Sequence, residues 1–259
     1  MIIDKKIIQK VLVTIVLVVL STLIKVPLKT LLLSYDFKDI NAELLSIFIS
    51  RGFLICWAVY FLYSNYNYLL EFKLQNLHLL IAPVIIVLIG FNINANYFTN
   101  QPSATLSLFI GSCFSIGFAE EFCFRGILFP LLSVNTLAKF NKITVGAILS
   151  SLIFGVFHYV NLIKYPDQIE GVTLQVLIAF AIGVFFCGVL MHIKNLYFMG
   201  LLHSLIDTVF SPKFITKTTE EINAQSNQSS LFSYIFFIII FFIILISGIK
   251  LINKRPTTL

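Results

Sequence analysis

The chain has 259 residues, of which 58% are hydrophobic and only 12% charged, with a formal net charge of +6 and a mean hydropathy of +0.95. Water-soluble domains carry about 25% charged residues, so this balance excludes a soluble globular fold and asks for a surround of lipid. The basic excess does not mark a nucleic-acid partner, because the lysines are scattered at the ends of apolar runs, where they anchor to headgroups.

An apolar helix of about 20 residues crosses the hydrocarbon core. By that measure the sequence predicts an all-α, polytopic membrane protein: a single membrane domain, 1–259, with eight spans. The first runs from Ile7 to Ile24 and, with no small-residue cleavage site behind it, reads as retained rather than as a signal peptide. A connection of mixed charge, Lys25 to Glu43, leads to the second, Leu44 to Tyr63, which carries Arg51. The third covers Leu77 to Asn96 and contains Pro83. The fourth, Ser103 to Leu132, is long and interrupted by Glu120, Glu121 and Arg125. His158 lies in the fifth, Ile143 to Leu162, and the sixth is Val172 to Met191. The seventh, Leu196 to Phe210, is short and holds His203 and Asp207. A polar stretch, Ser211 to Ser230, separates it from the eighth, Leu231 to Ile249. Unbroken runs such as Phe236 to Ile246 lack the alternation of barrel strands. The basic residues favour both termini on the cytoplasmic side. Cys56, Cys113, Cys123 and Cys187 sit inside apolar runs without metal-finger spacing and read as small hydrophobes.

A charge in mid-span costs several kcal/mol by contested estimates, so it faces the bundle interior and marks function by default. Three spans carry such groups, and their spacing allows one cluster. The fourth and fifth spans form a hairpin turning near Lys139, which puts Glu120 and His158 at similar depth. At a helical rise of about 1.5 Å per residue they lie roughly 18–23 Å deep, with His203 and Asp207 at roughly 12–18 Å from the same side. Glu121 and Arg125, four apart, share one helix face and form a structural pair. That leaves Glu120 pointing elsewhere, desolvated and suited to general acid–base work. Asp207, four after His203, is placed to orient its imidazole. Asn161 follows His158 by one turn and is placed to line the same cavity, whereas His78 and His192 read as interfacial. Arg51 is given no chemistry.

These residues resemble a known family. The run Glu-Glu-Phe-Cys-Phe-Arg from Glu120 to Arg125 is similar to the paired-glutamate motif of the CAAX protease and bacteriocin-processing (CPBP, or Abi) intramembrane endopeptidases. Phe154 with His158, and His203 with Asp207, look like that family's second and third motifs. Three weak patterns in order, each within a span, are strong together. The resemblance covers 103–210 and implies eight helices, location in the cell membrane and hydrolysis of a peptide bond in a membrane-associated peptide or protein. In the scheme it implies, Glu120 and His158 activate a water, while His203 and Asp207 attend the oxyanion, with Glu121 and Arg125 in support. Zinc held by Glu120, His158 and His203 is the alternative; no His-Glu-x-x-His motif is present, and the metal-free glutamate mechanism is favoured. The rival to an enzyme is a non-catalytic bacteriocin-immunity or scaffold member of the same family. A transporter with a proton relay is a further rival, disfavoured because no internal repeat is apparent.

Overall fold

The computed structural model describes residues 5–72, 75–99, 101–135, 142–211 and 231–254. Among the described residues every regular element is helical. Seven helical stretches are long and apolar enough to span a bilayer, and an eighth, Leu196–Phe210, is shorter. The chain is a multi-pass membrane protein. The hairpin turn expected near Lys139 and the polar stretch after Ser211 lie outside the described residues.

The helices are α1 (Lys5–Leu33), α2 (Asp39–Asn65), α3 (Ile81–Thr99), α4 (Ser103–Glu121), α5 (Phe129–Asn135), α6 (Lys142–Phe157), α7 (Ile169–Ile193), α8 (Leu196–Phe210) and α9 (Leu231–Asn253). They fall into two compact units. One comprises Ile3–Ile127 with Lys194–Thr216, and the other comprises chiefly Leu128–Ile193 with Lys217–Leu259.

In the first unit α1 packs on α2, α2 on α4, and α4 on α8, with α3 alongside α8. The α4–α8 contact is close because small residues face it. A Cβ on Gly117 would lie 2.6 Å from the Ser204 backbone nitrogen, and one on Gly200 would meet the Phe118 ring at 2.9 Å. Helices in lipid gain dispersion energy from such near approach. Gly117→Val is therefore expected to destabilise the protein by about 1–3 kcal/mol through overpacking. Gly111→Ala, whose new methyl meets only the Phe48 ring at 3.5 Å, should be close to neutral. Thermal unfolding of the two purified variants makes the comparison, and equal stability would contradict the packing argument.

Helix α1 is longer than the sequence predicts. It continues through Pro27 to Leu33, so most of the expected Lys25–Glu43 connection is helix. Only residues 34–38 turn the chain, with Asp36 left-handed at φ 61°, a conformation that aspartate tolerates. Lys29 does not end the helix because carboxylates balance it: Asp39 at 2.9 Å and Glu43 at 3.3 Å.

In the second unit α5, α6, α7 and α9 pack in succession. Phe129, Ala147, Val184, Cys187, Met191 and Ile252 form its buried core. Glycines again allow close approach: a Cβ on Gly188 would lie 2.9 Å from the Gly248 carbonyl oxygen. His192, expected at an interface, donates from Nε2 to the Leu251 carbonyl at 2.9 Å. The α-helical part of the fifth span ends at Phe157, and His158–Ile163 wind as a tighter 3-10 turn.

Candidate active site

The final turn of α4 delivers Glu120 and Glu121, and the chain then widens into a π-helical stretch, Phe122–Leu128, that carries Arg125. Such wide turns recur at functional sites because they redirect side chains within one helix. Arg125 Nη1 lies 2.9 Å from Glu121 Oε1, and both side chains are fully enclosed. A guanidinium and carboxylate sealed together in this way neutralise each other where neither is solvated by water.

Helix α8 brings His203 against the two glutamates. Its N-terminus is capped by Asn195, whose side chain accepts from the Phe198 amide at 3.2 Å. The His203 Nδ1–H donates to Glu121 Oε1 at 2.8 Å. Nε2 then faces Glu120 Oε2 at 3.6 Å and Asp207 Oδ1 at 3.8 Å. Spacing along the helix suggested Asp207 as the group that orients His203. The structure gives that contact to Glu121, since 3.8 Å exceeds hydrogen-bonding distance. Glu121 thus serves Arg125 and His203 through the same oxygen.

Around this cluster the hydroxyls of Ser112, Ser115, Ser204 and Thr208 are buried and return to carbonyls of their own helices. They add polarity without exposing backbone to lipid. Cys113 and Cys123 are free and buried. Asp207 is the most open of the acidic side chains, 27% exposed, against 10% for Glu120 and none for Glu121. The cluster is therefore open on its Asp207 side.

Arg51, from α2, belongs to the same unit and was set aside on sequence grounds. It is 9% exposed and donates to the Ser21 and Thr22 hydroxyls of α1, the latter at 3.0 Å. The Glu120 charge acts on it electrostatically. Its mid-span position was the available signal; the hydroxyls that hold it belong to another helix and leave no mark in the local pattern.

His158 lies in the second unit. Its Nδ1–H donates to the Phe154 carbonyl at 2.9 Å, and the Phe154 ring meets it edge-on with centroids 4.9 Å apart. The bond fixes the ring's tautomer, making Nε2 the basic nitrogen. Asn161 donates to the Gln175 side chain at 3.0 Å. Among the described residues no group of three His, Cys, Asp or Glu side chains is arranged to hold a metal ion.

A family model described as Rce1-like, type II CAAX prenyl endopeptidase, matches residues 102–209. That segment is similar to the Rce1-like family. The match starts one residue before α4 and stops one residue short of the end of α8, so it contains Glu120, Glu121, Arg125, His158, His203 and Asp207. It agrees with the CPBP resemblance, to which the Rce1-like proteins belong at family level. At under half of the chain it leaves α1 and α2, with Arg51, outside the Rce1-like segment. No match to the chain was found among curated proteins or solved structures.

Proposed function

We propose that the protein is an intramembrane endopeptidase that hydrolyses a peptide bond in a membrane-associated peptide or protein. The observation that carries this reading is the facing pair of Glu120 and His203 Nε2, 3.6 Å apart, with Glu121 bonded behind the imidazole. Glu120 takes a proton from a water as its oxygen attacks the scissile carbonyl. The resemblance gives His158 a share in activating that water. The carbonyl becomes an oxyanion, which the His203 Nε2–H stabilises, and Glu120 returns the proton to the leaving amine. A donor aimed at developing charge in a dry site is worth far more than in water.

Charge balance supports a donating His203. Glu120, Glu121 and Asp207 set three carboxylates against the guanidinium groups of Arg51 and Arg125, and a further proton on His203 or on a carboxyl completes neutrality. Nδ1–H is already given to Glu121, so a proton on His203 resides on Nε2, where the oxyanion forms. The Asp207 carboxylate, 3.8 Å from Nε2, is too far to accept that proton in a hydrogen bond but close enough to favour positive charge on the ring.

The test is incubation of the purified full chain, in lipid nanodiscs, with membrane-anchored peptides, read by mass spectrometry with and without a chelator. Cleavage that survives the chelator is expected. Activity that is lost on chelation and restored by zinc would replace this scheme with metal catalysis. Absence of any cleavage would favour the immunity or scaffold role.

A further inference from the structure

The segment that carries His158 is wound unusually and tied down from outside. The α-helix stops at Phe157, and six residues, His158–Ile163, continue as a 3-10 helix. Runs of that winding seldom exceed three or four residues, because their hydrogen-bond geometry is poorer. The winding has a chemical use. The last four carbonyls of an α-helix are open to outside donors, and one of these four, that of Phe154, accepts the His158 Nδ1–H at 2.9 Å. The bond that sets the imidazole therefore belongs to the place where the helix changes pitch.

Helix α7 holds this segment at three points. Three residues before His158, Gly155 lies so close that a Cβ there would be 2.8 Å from the Val176 carbonyl oxygen. One residue after it, the Tyr159 phenol meets the Thr173 hydroxyl at 3.4 Å. Thr173 gives its own proton to the Ile169 carbonyl at 2.7 Å, so the phenol is the donor. Asn161 then donates from Nδ2 to Gln175 Oε1 at 3.0 Å. Thr173, Gln175 and Val176 fall within about one turn of α7.

The amide pair stands at an expensive depth. Helix α7 has 25 residues, about 38 Å, and overhangs a hydrocarbon core about 30 Å thick by about 4 Å at each end. Gln175 is exposed and lies six residues after the start of α7, about 9 Å along it and so inside the apolar layer. An apolar side chain would pack there at lower cost.

We propose that Gln175, through Asn161, is a positioning residue for His158: the amide pair holds the 3-10 winding that aims the imidazole. This rests on the endopeptidase reading, in which His158 shares in activating the water. Without the bond the segment can relax toward α-helical winding, which turns each residue back by about 20° and shortens the rise by about 0.5 Å. Over the residues from Phe157 to Asn161 the shift exceeds 1 Å, and a displacement of about 1 Å can slow a reaction by about 10²-fold.

The experiment measures kcat and KM in nanodiscs, with the full chain and one farnesylated peptide ending in cysteine and three further residues. Asn161→Leu and Gln175→Leu are each expected to lower kcat roughly tenfold with KM unchanged, a partial loss of alignment. The double variant should be no slower than either single one, since both remove the same bond. The exchanged pair, Asn161→Gln with Gln175→Asn, keeps the summed length and should recover most of kcat. In a His158→Ala background Gln175→Leu should cost nothing further. A bond that served stability alone would lower the melting temperature but leave kcat per folded molecule at the wild-type value, which overturns the assignment. So would additive losses in the double variant, or a further loss from Gln175→Leu when His158 is already absent. If the leucine variants do not fold, Tyr159→Phe, which removes one hydroxyl from the same segment, carries the test: lower kcat at unchanged KM supports the role, and wild-type kcat overturns it. His158→Ala separates the failures. Full kcat in that variant removes the share given to His158 and its positioning together. Loss there, with full kcat in the amide variants, removes the positioning alone. No cleavage by the wild type removes the endopeptidase reading itself.

Discussion

Glu120→Gln protein is expected to insert and fold as the wild type does, yet to cleave peptide roughly 10³-fold more slowly, within the range that general acid–base groups contribute. The amide keeps the shape of the carboxylate and its place opposite His203 but cannot take a proton from water. In energy this is about 4 kcal/mol of transition-state stabilisation. His203→Ala should lose about 10²–10³-fold, the usual loss for one oxyanion donor. Single-turnover rates measured with saturating peptide separate these losses from binding. Retention of more than a tenth of wild-type rate by Glu120→Gln would remove Glu120 from the role of base.

Arg125→Met is expected to lower the free energy of unfolding by about 3–5 kcal/mol, because it strands Glu121 as an uncompensated buried charge. The pair is enclosed on all sides, with Glu121 fully inaccessible and Arg125 at 1%, so water cannot substitute for the missing guanidinium. Adding Glu121→Gln to that variant should recover part of the stability, which a double-mutant cycle measures. Activity should recover less than stability, since the glutamine oxygen still accepts from His203 Nδ1 but no longer sets a negative charge behind the imidazole. Equal stability of the wild type and Arg125→Met would show that the pair is solvated, against its burial here.

The spans and the Glu121–Arg125 pair were legible because hydropathy and the four-residue helical repeat are local signals. The Rce1-like segment was legible for the same reason: its residues recur at short, fixed separations within spans. What escaped was set by contacts between helices or by backbone winding. Lys25, Pro27 and Lys29 look like a helix end, yet α1 runs on because Asp39 and Glu43 balance Lys29. Nothing in Phe-Cys-Phe-Arg-Gly-Ile-Leu announces a π turn, which tertiary packing selects; a Cβ on Gly126 there would meet Leu196 at 2.8 Å. For His203 the four-residue rule named Asp207, while the bonded partner comes from α4. Arg51 was visible as a costly charge, but its hydroxyl seat on α1 was not.

The length of α1 has a practical consequence. Its 29 residues measure about 44 Å, some 14 Å beyond a hydrocarbon core about 30 Å thick. A helix that long either tilts or projects beyond the hydrocarbon, and Asp36, exposed in the turn that follows it, is the place to tell the two apart. A reporter planted on that turn reads out its depth and which face of the membrane the first hairpin occupies.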